Sequence, residues 1–404
     1  MRREEALAVA GTGVTMFVWG VVLALAPLMT SWPMVSRGDV AYLLVASPSA
    51  LLVGNLVIGR LTDRIGRKGA LTLDMALFTA SIPFIAFSNS FVGLAVGVAL
   101  AEFSLGGDET TVLAYMSELS GPSSRGRVLV GVTNLANVGA LAISAVSMLT
   151  SFSFEAQREA FVSLLAASVP VLVITRLWLP ESDRWSRYRS GPWRVSMGAW
   201  DYFVRLYFLL TMAITVVLTY ALMAIVMGPY LFPSLTSEIL FVYNLGESLA
   251  GFAAMPFVDS HDRRAFTMLA YLGGAVTMAL FVLQYYVARA SVAAFMSLLF
   301  ANGVFGELAW AVRVIMEPEL FPTTVRGTMI GVVRAAAYAL YIGSIFFTQP
   351  FTVPEYLLYN VGLWLVGVSG AGLWFARGLD TSRRSLDEVS DRFLVLRRGQ
   401  PRAR

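Results

Sequence analysis

"GRLTDRIGRK", Gly59 to Lys68, sets four cations, one carboxylate and two glycines between two apolar runs. An altered copy, "DSHDRR" (Asp259 to Arg264), returns about half a chain later. The surroundings are apolar: the 404 residues are 57% hydrophobic and 14% charged, with a mean hydropathy of +0.69. A soluble domain averages about 45–50% apolar and about 25% charged residues. "LAVAGTGVTMFVWGVVLALAPLMT" (Leu7 to Thr30) carries no charge, and crossing a bilayer takes roughly 20 apolar residues. It exceeds the apolar core of a signal peptide and similar runs follow it, so it reads as a retained span. The chain reads as an all-α, multi-spanning membrane protein.

Apolar runs bounded by charge or turn residues fall at twelve places: 7–30, 39–59, 69–88, 91–116, 128–151, 159–179, 203–231, 237–258, 265–287, 291–316, 327–349 and 355–377. Each is expected to be a helix, because lipid offers backbone amides no partner. With the N-terminus inside, the outer loops carry only Arg37, Arg158 and Arg289, and the inner segments nearly all other arginines. That bias predicts two cytoplasmic termini in a cell-membrane protein. The polar stretch 180–202 divides an N-terminal bundle (1–179) from a C-terminal one (203–377), and 378–404 forms a cytoplasmic tail.

The halves echo each other. "ELSGPSSRG" (Glu118 to Gly126) and "ELFPTTVRG" (Glu319 to Gly327) share one pattern, and Asp63/Arg67 correspond to Asp259/Arg263. Repeats of like orientation imply two bundles related by an axis along the membrane normal. Lipid attraction explains bare positive charge but not Asp63, Glu118, Asp259 and Glu319 among the cations at matching places. Reversible ion pairs at a half-wet closure explain both. Gly59 and Gly66 would allow a tight turn and close helix approach. Asp262 replaces the second glycine in the copy, which predicts a looser turn there.

"GRLTDRIGRK" resembles the loop between spans two and three of the major facilitator superfamily. "LPESDRW" (Leu179 to Trp185) and "LDTSRRSLDEVS" (Leu379 to Ser390) are similar to the post-span-six motif and the tail of its sugar porters, with Asp380 for Glu and Arg383 for Gly. The two E-L-x(5)-R-G segments resemble the family's motif after spans four and ten. The resemblance implies two six-helix bundles working by alternating access. It implies gate roles for Asp63, Arg64, Arg67, Glu118, Arg125, Glu181, Arg184, Asp259, Arg263, Glu319 and Arg326, with the glycines Gly59 and Gly66.

Charges within the spans are costly and call for a cavity or a partner. Those that stand out are Glu102, Asp108 and Glu109 in span four, Glu247 in span eight, Glu307 and Arg313 in span ten, and Arg334 in span eleven. At 1.5 Å per residue, Asp108, Glu109, Glu247 and Glu307 come to about 15–18 Å from the cytoplasmic edge, the depth of transporter substrates. Asp108 and Glu109 face different ways, since neighbours on a helix diverge by about 100°. Buried carboxylates can titrate near neutrality, so these six residues, Arg334 excepted, are candidates for substrate contact or proton coupling. The competing expectation is a fixed ion pair of Glu307 or Asp108 with Arg313. Arg334 is expected to snorkel to the interface. "GGDETTVLAYMSE" (Gly106 to Glu118) resembles span four of phosphate–proton symporters, while the acid and paired glutamines of hexose carriers are missing.

The expected function is proton-coupled transport of a small polar or ionic metabolite (organic ion, phosphate or sugar-like). A facilitative sugar uniporter and a non-transporting nutrient sensor are the alternatives. Expected partners are the substrate, protons and lipid, with the chain acting as a monomer. The net charge of +4 sits where topology places it, so no nucleic acid is expected. There is no cysteine and the single histidine, His261, lies in a polar loop, so neither metal nor cofactor is expected. No nucleophile–base pair or phosphate-binding loop suggests an enzyme.

Overall fold

The computed structural model describes residues 3–189, 191 and 193–396. The last eight residues of the predicted tail, with Ser190 and Pro192 of the linker, lie outside the described residues. Twelve long helices follow in order: α1 Arg3–Leu23, α2 Val40–Ile65, α3 Arg67–Phe87, α4 Phe91–Leu119, α5 Arg125–Leu149, α6 Phe154–Trp178, α7 Ala199–Tyr220, α8 Thr236–Ala254, α9 Arg263–Val287, α10 Val292–Leu320, α11 Arg326–Thr348 and α12 Val353–Arg377. Eleven of these segments are long and apolar enough to cross a membrane. The other, α8, carries Glu238, Asn244 and Glu247 and packs against α5 and α10, where protein rather than lipid surrounds Asn244 and Glu247.

Packing repeats at a spacing of six helices. In the first half α1 packs on α5 and α6, α2 on α4, and α3 on α4 and α6. In the second, α7 packs on α11 and α12, α8 on α10, and α9 on α10 and α12. The two bundles meet through α2 against α11 and α5 against α8, again a symmetric pair. At the α2–α11 crossing a Cβ on Gly59 would lie 2.8 Å from the Gly327 carbonyl oxygen, so the backbones approach directly.

The two ends of the molecule begin their helices differently. Ser90, Ser153 and Ser291 cap α4, α6 and α10 by accepting backbone N–H bonds, and Thr352 with Glu355 forms a capping box on α12. At the other end α3, α5, α9 and α11 each open on an arginine: Arg67, Arg125, Arg263 and Arg326. The linker and tail lie at this arginine end, called the linker side below. Gly66 alone separates α2 from α3, with φ +98° in the left-handed region. The corresponding turn from α8 to α9 is longer and ends on Asp262, whose carboxylate accepts the Arg264 N–H.

The linker holds a short helix, Asp183–Arg189, and a strand, β1 (Trp193–Val195), which pairs antiparallel with β2 (Leu394–Leu396) of the tail. This small sheet departs from the all-helix expectation, but it lies outside the spans, where backbone groups have water as an alternative partner. Past Tyr220, α7 runs through a π-helical turn, Ala221–Val226, to Leu231. Such turns recur at functional sites, and this one lines the central cavity described next.

Candidate functional site

A helix N-terminus presents unpaired N–H groups and a partial positive charge. On the linker side each of the four is met by a carboxylate from elsewhere in the chain. Glu181 of the linker accepts from Arg67 N (2.9 Å) and Lys68 N (3.3 Å) of α3. Asp380 of the tail accepts from Arg263 N of α9 at 3.2 Å. The other two cross between the bundles. Asp63 accepts from Gly327 N (3.1 Å), Thr328 N (2.8 Å) and Thr328 Oγ1 (2.8 Å) of α11, and Asp259 from Gly126 N (2.9 Å) and Arg127 N (2.8 Å) of α5. The R-G pair now has a geometric reason. A Cβ on Gly126 would strike the Asp259 carboxylate, and one on Gly327 would strike Thr62.

The arginines tie the same closure. Arg67 binds Glu118 (2.6 Å) and Asp63 (3.0 Å), and Arg326 reaches across the interface to Glu118 at 2.8 Å. In the second copy Arg125 reaches Glu319 across the interface at 3.2 Å, and Arg263 pairs with Asp259 at 3.1 Å. Arg263 stands 3.8 Å from Glu319, so this copy is looser. Arg184 grips Asp387 (2.8 Å) and Asp391 (2.6 Å) of the tail, and its hydrogen bonds hold the Asp387 carboxyl below the usual carboxylate range. Arg64 is exposed and makes none of these contacts.

Toward the membrane centre the acids separate. A cavity between the bundles is lined by Trp19, Asn137, Tyr220, Glu247, Trp310, Arg313, Tyr338 and Tyr341 with apolar residues. Of the four acids expected at one depth, only Glu247 is in its wall. Glu307 lies behind, accepting from Asn137 Nδ2 of the opposite bundle at 2.7 Å. Glu102 is buried against α2, where its Oε1 accepts from Ser47 Oγ at 2.7 Å.

Asp108 and Glu109 do diverge. Asp108 turns into its own bundle, 3.5 Å from Arg176 Nη2 of α6. Arg176 also donates to Thr15 Oγ1 (2.7 Å) and the Leu71 carbonyl (3.2 Å). Asp74 of α3 completes this group; it is fully buried, with neither oxygen hydrogen-bonded among the described residues. Glu109 faces the other bundle and pairs with Arg334, which also donates to Glu317 at 3.0 Å. Arg313 stands 3.5 Å from Glu109 and 3.6 Å from Glu317.

Two expectations are thereby corrected. Arg334 is no snorkeller: it is fully buried, because α11 turns that face toward α2 and α4 rather than lipid. The fixed pair of Arg313 with Glu307 or Asp108 is absent among the described residues, since Glu109 projects from the face of α4 that meets α10 and α11. Sequence reasoning also passed over Asp74, Arg176 and Glu317. Asp74 was visible as a lone acid in an apolar run; Arg176 and Glu317 sit near span ends, where charge is ordinary.

Residues 40–192 match the family described as Sugar (and other) transporter. The candidate niacin/nicotinamide transporter NiaP of Bacillus subtilis (strain 168) is 26% identical over 356 residues, 82% of this chain and 84% of that protein. The proton myo-inositol cotransporter of Homo sapiens is 34% identical over 147 residues, 35% of this chain and 22% of its own. Among solved structures, the proton:xylose symporter XylE bound to 6-bromo-6-deoxy-D-glucose superposes with a TM-score of 0.76 at 16% identity, over 96% of this chain and 97% of that one. The human organic anion transporter MFSD10 gives 0.64 at 16% identity, over 92% and 100%.

Twelve helices in two matched bundles, closed on one side by ion pairs around a shared cavity, define a secondary transporter rather than an enzyme. The chain shares the fold of the major facilitator superfamily and is similar to its sugar-porter-like members.

Proposed function

We propose that this protein moves a small polar or ionic metabolite across the cell membrane by alternating access, in symport with protons, as a monomer with both termini in the cytoplasm. One observation carries the reading: the two crossed caps, Asp63 on α11 and Asp259 on α5, make a closure both bundles share and neither completes alone. Breaking it opens the cavity to the linker side, and the arginine bias makes that side cytoplasmic. The bundle, linker and tail boundaries at 179, 202 and 377 follow the same division, and the residues of the closure act as its gate.

Charge balance supports the proton. Asp74 and Asp108 share one guanidinium, Arg176, and Glu247 and Glu307 have no cationic partner among the described residues. A buried charge without a counterion is expensive, so such groups hold a proton in one state and release it in another. Two relatives are named as proton-coupled: the human myo-inositol cotransporter and the arabinose–proton symporter of Escherichia coli (strain K12), the latter 26% identical over 166 residues. The match to NiaP, which spans most of both chains, favours a small organic substrate over a plain hexose.

The test is uptake into proteoliposomes under an inward proton gradient, with radiolabelled myo-inositol, arabinose, nicotinate and nicotinamide. At least one solute accumulates above its outside concentration, a protonophore abolishes that accumulation, and Asp108→Asn leaves only exchange. Uptake of any of them that ignores the gradient overturns the coupling.

A further inference from the structure

The central ion cluster is unevenly satisfied. Two arginines face two carboxylates, yet Arg334 takes both at close range. Arg313 is left with carboxylates at 3.5 and 3.6 Å, beyond the ~2.7–2.9 Å of a charge-assisted hydrogen bond. Its Nε and Nη1 have no hydrogen-bond partner among the described residues, although the side chain is only 4% exposed. Buried guanidinium groups are normally saturated. This one lines the cavity.

The wall around it is aromatic. Trp19 of α1 and Trp310 of α10 stack across the bundle interface with ring centroids 6.3 Å apart, and Trp19 Nε1 has no hydrogen-bond partner among the described residues. Tyr220 and Tyr338 complete the walls. Unused donors beside flat apolar faces suit an anionic group on a planar ring. Polyol hydroxyls would instead want several paired donors and acceptors.

We propose that Arg313 is the residue that selects substrate charge, and that the substrate is a small organic acid whose carboxylate takes this guanidinium while its ring lies against Trp19 and Trp310. The assignment deepens the transport reading and rests on it for the cavity's role. It also gives binding a mechanical consequence. The bound carboxylate competes with Glu109 for Arg313, and Glu109 is the member of the cluster contributed by the N-terminal bundle. Filling the site therefore loosens a central tie between the bundles.

Binding is tested apart from transport, with purified protein and intrinsic tryptophan fluorescence, using matched pairs: benzoate against benzamide, and pyridine-3-carboxylate against its amide. At least one carboxylate should bind about 10- to 100-fold tighter than its amide, the worth of one charge-assisted pair. Arg313→Gln should erase that preference by weakening the acid alone, and Arg313→Lys should restore part of it. Glu109→Gln, which removes the competing carboxylate, should leave the preference intact and tighten binding of the acid. No binding of either acid, or an acid-to-amide ratio unchanged in Arg313→Gln, overturns the proposal. If a polyol accumulates under the proton gradient while neither acid binds, the transport reading stands and this one falls.

Discussion

Asp63→Asn is the most direct probe of the shared closure. The carboxylate accepts three hydrogen bonds from the opposite bundle and one from Arg67, and its side chain is only 7% exposed. Asparagine keeps the shape and one acceptor oxygen but turns an amide toward at least one N–H donor. One bond to a charged group is then lost across the interface, worth about 1.5–3 kcal/mol. The balance between the closed and open linker side should shift by roughly 10- to 150-fold toward open. With no native cysteine, a single reporter thiol suffices. Ser248→Cys is suitable, because Ser248 is buried on α8, where its carbonyl accepts from Asn134 of the other bundle. In detergent, a charged thiol reagent should label this reporter about 10-fold faster or more when Asp63→Asn is added. Equal rates would refute the idea that this carboxylate holds the bundles together.

Three further outcomes follow from the same geometry. Glu118→Gln should raise labelling of the same reporter more than Glu319→Gln, because Glu118 holds arginines of both bundles at 2.6 and 2.8 Å while Glu319 meets its pair at 3.2 and 3.8 Å. Gly327→Ala should block linker-side closure, since the new methyl meets Thr62 and lies 2.8 Å from the Gly59 carbonyl oxygen; proton-driven uptake should fall with the protein still folded in a thermal melt. The linker–tail contact should resist acid. Arg184 depresses the Asp387 carboxyl, so its contribution is complete above the ordinary carboxylate range near pH ~4 and fades only as pH falls through the lower folded value. Spin labels on Ser186→Cys and Glu388→Cys should keep one separation from pH 8 to 5, and Arg184→Gln should lengthen it at every pH.

Much of this architecture was open to reading from residue order, because lipid leaves so few choices. Runs of about 20 apolar residues have to be helices there, and arginines at alternate loops reveal which ends lie together. The repeat of Asp63/Arg67 and Glu118/Arg125 in the second half carried the two-bundle plan, and the observed packing repeats accordingly. Even the looser second turn was foreseeable, from Asp262 where the first copy has Gly66.

The pairings were not. Asp108 and Glu109 adjoin on one helix, yet one answers Arg176 inside its own bundle and the other Arg334 across the interface. Helical periodicity says that they part company but not what each meets. Arg334 reads as an interfacial cation until α11 is seen against α2, and Asp63 reads as a partner of Arg67 until its carboxylate is found on the start of α11. Periodicity and the hydrophobic cost of lipid act along the chain and leave their mark in sequence. Ion pairing acts across helices from distant segments, and its partners exist only once the two bundles have packed.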